Sequence, residues 1–154
     1  MEFVQGNLLE AEAEALVNAV NTVGVMGKGI ARAFKTTFPD NYRAYARACR
    51  AGEVEVGRVF AFERRAAGPR WIVNFPTKQH WRNASRIKWI DGGLRDLRAF
   101  IEARTVRSIA VPALGCGLGG LDWSVVRPRI EAALGDLDGT RVLVYEPLDI
   151  PQPT

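Results

Sequence analysis

The sequence predicts an α/β domain, with a mixed or mostly parallel sheet and helices packed on both faces. Three observations predict it. Apolar runs of strand length alternate along the chain with stretches of three-four apolar spacing. Two runs, "EALVNAVN" and "SIAVPAL", read as largely buried strands. Each leads into a glycine-rich loop with a helix behind it, the arrangement of an open α/β sheet that binds ligands at its C-terminal strand edge.

Each element follows in order. "MEFVQGNLL" is a short strand closed by Gly6, and "EALVNAVN" is the second strand. "GVMGKGIARAFKTTFP" is a glycine-rich loop running into a helix with Ile30, Ala31, Phe34 and Phe38 on one face. Pro39 breaks that helix and starts another through "DNYRAYARACRAG". "GRVFAFER" and "RWIVNFP" are paired strands around the turn "RAAGP". Ser85 is placed to cap a helix whose apolar positions are Ile87, Ile90, Leu94, Leu97 and Ile101; Gly92 and Gly93 interrupt it. "SIAVPAL" is a strand, "GCGLGGL" the loop after it, and Asp122 caps a helix running to about Leu134. "TRVLVYEP" is the last strand. Residues 1–148 thus form one domain, with 149–154 a loose tail that reads as the start of a linker.

Composition narrows the function. With 154 residues and 47% hydrophobic content, the chain has enough material for one real core. No apolar run approaches the ~20 residues of a membrane span. The N-terminus lacks a signal-peptide pattern. Cys49 and Cys116 lie far apart and read as reduced thiols of a cytoplasmic protein. One histidine and no cysteine cluster argue against a zinc site. The net charge of +4 is carried largely by arginine, which suits phosphate contact and equally suits a GC-rich or thermophilic source.

The chemistry points to the two loops, "NTVGVMGKGIA" at 21–31 and "PALGCGLGGL" at 112–121. Glycine allows positive φ and close approach of the backbone to a ligand. Successive N–H groups in such turns form anion nests, and a following helix adds its N-terminal dipole. Two nests on one sheet edge suit a diphosphate with a group at each end. The first loop is no Walker loop, because Lys28 is followed by glycine rather than a hydroxyl residue. Nor does "GVMGKG" carry the Rossmann spacing.

Between the loops in sequence stands "NFPTKQHWR", which sets Lys78, His80 and Trp81 just past an apolar strand. Trp81, Arg82, Arg86, Lys88 and Trp89 interleave aromatics with cations, the two parts of a single-strand nucleic-acid surface.

"VQGNLLEAEAEALVNAVNTVGVMGKGIARAFK", "NFPTK" and "PALGCGLGGLDW" together resemble the macrodomain family over nearly the whole chain. The resemblance implies a three-layer α/β/α sandwich with a mixed central sheet, and ADP-ribose as ligand. Within the family the chain is most similar to the DNA ADP-ribosyl glycohydrolases. These are antitoxins that remove ADP-ribose from thymidine bases of single-stranded DNA modified by a partner toxin. The resemblance implies that Asn7 and Leu8 line the adenine end. Asn21 and Thr22 face the distal ribose. Lys28, Gly29, Ile30 and Ala31 lie along the diphosphate. Leu114, Gly115, Cys116, Gly117, Leu118 and Gly119 wrap the diphosphate and distal ribose from the other side. Thr77 precedes Lys78, which matches the catalytic lysine, acting as an electrostatic catalyst or as a nucleophile. His80, Trp81 and Arg82 are the DNA-contact or auxiliary candidates. One departure is plain: a protein-directed relative's catalytic aspartate falls at Gly119.

The expectations are therefore an N-glycosyl hydrolase with no cofactor and no metal, whose partners are ADP-ribose, ADP-ribosylated single-stranded DNA and the toxin, with no membrane. A non-catalytic ADP-ribose reader and a protein-directed glycohydrolase are the alternatives.

Overall fold

The structure, a computed structural model, describes residues 1–147; the expected tail at 149–154 lies outside the described residues. Six strands form one sheet: β1 (Glu2–Val4), β2 (Ala15–Asn21), β3 (Phe60–Glu63), β4 (Trp71–Lys78), β5 (Ser108–Val111) and β6 (Arg141–Tyr145). Four helices surround it: α1 (Gly29–Thr37), α2 (Pro39–Arg50), α3 (Ile87–Arg104) and α4 (Trp123–Leu134). The strand order is β1-β6-β5-β2-β4-β3. Every neighbouring pair is parallel except β3–β4, so the sheet is mixed, with one antiparallel edge.

Period-two alternation divides the core into two layers. Ala15, Val17, Trp71, Val73 and Phe75 face Ile90, Leu94, Leu97 and Ile101 of α3 and Val126, Ile130 and Leu134 of α4. Leu16 and Ile72 point the other way, onto Phe34 and Phe38. The four α3 side chains are almost wholly buried, each contributing roughly 1.5–3 kcal/mol of hydrophobic stabilisation. This is the three-layer sandwich that the sequence implied.

Several expectations hold at the level of single residues. Pro39 is the first residue of α2. Asp122 caps α4, its side chain accepting from the Ser124 N–H at 2.9 Å, and that helix ends at Leu134. The hairpin turn falls at 64–70, although β3 begins three residues later than its apolar run suggested.

Two expectations need correction. Ser85 does not cap α3: the residue before the helix is Arg86, with no side-chain cap, and Ser85 is buried. Gly92 and Gly93 do not interrupt α3, which runs unbroken to Arg104. Packing explains the glycine at 93. A β-carbon there would stand 2.3 Å from the Phe75 ring, so the helix reaches the sheet only where it carries no side chain.

Candidate active site

The C-terminal ends of β2, β4 and β5 deliver three segments to one sheet edge: the first glycine loop, the lysine-bearing segment and the second glycine loop. Asn21 organises the first loop from inside. Its Oδ1 accepts from the Val23 N–H at 3.1 Å, and its Nδ2 donates to the Val25 carbonyl at 2.9 Å. The buried Tyr45 hydroxyl lies 2.7 Å from the Asn21 carbonyl and 2.9 Å from its Oδ1. Burial pushes the Tyr45 phenol well above its usual range, so it remains a donor. Met26, also buried, packs with Val20, Tyr45 and Ala48 and anchors the loop's far side. The Asn21 amide therefore shapes the loop, and its polar atoms are engaged there.

The loop opens into α1 with Gly29 at φ 61°. Lys28 is the residue before the helix and provides no side-chain cap. The first helical N–H groups, from Gly29 to Ala31, stand at a bare N-terminus, the arrangement that attracts phosphate. Lys28 is exposed beside them. Ile30 packs against the buried cluster that holds Leu8, Leu16 and Phe34. Asn7 caps a 3-10 turn, accepting from the Leu9 N–H at 3.1 Å, while Leu8 is buried.

The second loop carries Gly115, Gly117 and Gly120 at φ 75°, 62° and 79°, conformations that favour glycine. Leu114 is buried beneath it and Leu118 is two-thirds exposed at its tip. The two loops meet there: a β-carbon on Gly29 would lie 3.9 Å from Leu118 Cδ1. Cys116 is half-buried, and burial, with a smaller contribution from Asp122, pushes its thiol up to about 11. It is a packing residue rather than a reactive one.

The lysine ends β4, the strand on the other side of β2 from β5. The β2–β4 register slips at Val20 and Asn21, so β4 has one extra residue at Thr77 and Lys78 pairs with Asn21. Lys78 Nζ donates to the Trp81 carbonyl at 3.0 Å. Burial lowers its pKa below the ordinary lysine value. Thr22 fixes the next residue: its hydroxyl and its N–H donate to the Gln79 carbonyl at 2.8 and 3.2 Å. Beyond it, His80 Nδ1 accepts from the Arg82 N–H at 3.1 Å, which makes the imidazole a turn residue. His80 lies 5.0 Å from the exposed Trp81 ring, and the Arg82 guanidinium stands 4.4 Å over that ring. Arg86 lies 5.4 Å from Trp89 in the same way.

The arrangement brings two glycine loops, an uncapped helix N-terminus and a partly desolvated cation to one sheet edge, with an aromatic–cation surface alongside. The Macro domain model matches residues 17–130. The chain belongs to the macro domain family. This macro domain is 56% identical over 153 residues to a DNA ADP-ribosyl glycohydrolase of Thermus aquaticus, covering 99% of this chain and 42% of that protein. It is 48% identical to a DNA ADP-ribosyl glycohydrolase of Mycobacterium tuberculosis, covering 92% of this chain and 41% of that one. The macro domain thus spans less than half the length of these relatives. Among solved structures, the macrodomain of Thermus aquaticus DarG superposes with a TM-score of 0.91 at 57% identity, covering 95% of this chain and 97% of that one. Thermosipho africanus DarTG in complex with ADP-ribose gives 0.92 at 40% identity, covering 98% of this chain and 42% of that chain.

Sequence reasoning missed Tyr45 and Ser85 as parts of this site. Tyr45 belongs to an apolar face of α2, whose spacing signals only burial. Ser85 lies under the second loop, and its place before α3 signals only a helix cap.

Proposed function

We propose that this macro domain is a DNA ADP-ribosyl glycohydrolase, releasing ADP-ribose from thymidine bases of single-stranded DNA. In the cell it would act in the cytoplasm as antitoxin to DarT, the DNA ADP-ribosyltransferase toxin. The observation that carries the reading is Lys78, at the end of β4 beside the first glycine loop, in a chain so similar to proteins of that activity.

ADP-ribose lies with its adenine towards Asn7 and Leu8 and its diphosphate along Lys28–Ala31, under the loop 114–119. The distal ribose then reaches Thr22, Thr77 and Lys78. The bond that breaks joins the ribose C1 to a thymine ring nitrogen. Its electron pair leaves on the ring as an imide-like anion, which the Lys78 ammonium stabilises in a partly desolvated place. Water adds its oxygen to C1, and a proton returns to the ring nitrogen. The hydrogen bond from Nζ to the Trp81 carbonyl favours the ammonium form. Trp81 and Arg82 take the neighbouring base and its phosphate.

The deciding experiment compares Lys78→Ala with the unaltered chain on ADP-ribosylated single-stranded DNA and on ADP-ribosylated protein. Loss of release from DNA with retained ADP-ribose binding is expected. Preferential release from protein would make the chain a protein-directed glycohydrolase. Binding with no release from either would make it a reader.

A further inference from the structure

Ser85 is 5% exposed, and its hydroxyl has no hydrogen-bond partner among the described residues. Buried polar groups are nearly always paired, so such a group asks for an explanation. Its surroundings supply one. The Ser85 N–H donates to the Gly119 carbonyl at 2.9 Å. A β-carbon on Gly119 would stand 2.4 Å from Ser85 Oγ and 3.1 Å from its Cβ. One on Gly115 would lie 3.3 Å from the same Cβ. The second loop therefore rests on Ser85 at two glycines.

The other end of the same segment is tied to the first loop through Thr22 and Gln79. Residues 79–85 thus bridge both glycine loops, and Lys78 immediately precedes the bridge. Whatever sets the height of the second loop over Ser85 also sets its distance from the lysine.

We propose that Ser85 is a positioning residue for this reaction: a peg that seats the second glycine loop relative to Lys78 and keeps position 119 free of any side chain. Resting on the reading of the site given above, the pair also has a chemical consequence. A loop held against Ser85 at a bare α-carbon can offer no acid or base from that position. Any proton for the departing group must then come from elsewhere than position 119.

The test uses Gly119→Ala, Ser85→Gly and the double variant. Three quantities are read: melting temperature, affinity for free ADP-ribose, and single-turnover release from an ADP-ribosylated single-stranded oligonucleotide. Gly119→Ala is expected to melt lower and to release about tenfold or more slowly, because small displacements of positioning elements cost rate steeply. The rate should fall more than the ADP-ribose affinity does. In the double variant the methyl group added at position 119 takes the space of the lost Ser85 side chain, so melting should be restored and the rate brought to within about threefold of the unaltered chain. Ser85→Gly alone leaves the loop unseated and should release about tenfold more slowly, with ADP-ribose affinity nearly kept. A Gly119→Ala variant with full rate, or a double variant no better than it, would overturn the peg. Equal losses of rate and affinity would overturn its positioning role. If the unaltered chain releases nothing from DNA, the functional reading falls. Suppression in the melting temperatures would still uphold the peg, and its absence would refute it.

Discussion

Thr22 and Gln79 are joined twice, with the threonine hydroxyl and its N–H both donating to one carbonyl. The contact is partly exposed, yet it lies one residue from Lys78 and holds the lysine segment to the first loop. Thr22→Val keeps the shape and removes one bond, worth about 0.5–1.5 kcal/mol. We expect the release rate to fall by about tenfold while ADP-ribose affinity stays within about threefold. Single-turnover assays and titration calorimetry together check the split.

Lys28 and Lys78 should separate by role. Lys28 is exposed beside the open N-terminus of α1, where a charge strengthens phosphate binding. Lys28→Ala should weaken ADP-ribose binding more than Lys78→Ala does. Calorimetry on both variants decides it, and the opposite ranking would exchange the two assignments.

The pH dependence follows from the lysine. Burial lowers the Lys78 pKa below its ordinary value. An ammonium that stabilises the leaving anion is lost as pH rises through that lowered pKa, so the rate should fall there. The falling limb should lie below the usual lysine midpoint of about 10.4. A limb that rises instead would mean that the free amine attacks the sugar. Burial also has a stability consequence with a definite sign. The folded state gives up the lysine proton at lower pH than the unfolded chain does, so stability from this group increases with pH between the two values.

Salt should weaken turnover on DNA through the Arg82 cation stacked on Trp81. For a single strand, the slope of log affinity against log salt should shrink by about 0.7 in Arg82→Ala. Trp81→Ala should lose affinity with the slope unchanged. Binding isotherms at several salt concentrations test both.

Gly93→Ala examines the packing beneath the site. The added methyl group meets the Phe75 ring at 2.3 Å, and overpacking of this kind costs about 1–3 kcal/mol. The gain in helix propensity is smaller. Urea unfolding should show the loss.

The legibility of this chain in its sequence was uneven, for physical reasons. Apolar runs located the six strands, and apolar periodicity located α1 and α3, because each of these elements buries a regular face. The Asp122 cap and the Pro39 start were readable because capping is local chemistry. Ser85 was misread for the same reason: a serine before a helix has the sequence signature of a cap, but a distant loop claimed its place. Gly92 and Gly93 were misread because intrinsic propensity carries no knowledge of Phe75. The two loops were legible as tight turns from their glycines, several of which take positive φ. What the Asn21 amide does inside its loop was not, since it depends on Tyr45 arriving from α2.

The strand order sets a schedule for the newborn polypeptide. Among the described residues β1 has a single neighbour, β6, and the Glu146 N–H donates back to the Val4 carbonyl. β1 therefore cannot pair until β6 has left the ribosome. Asn7 and Leu8 follow directly from β1, so the segment proposed to line the adenine end takes its place only after β6 has formed. A ribosome stalled before residue 141 should hold a nascent chain unable to retain ADP-ribose, however well its central strands have formed.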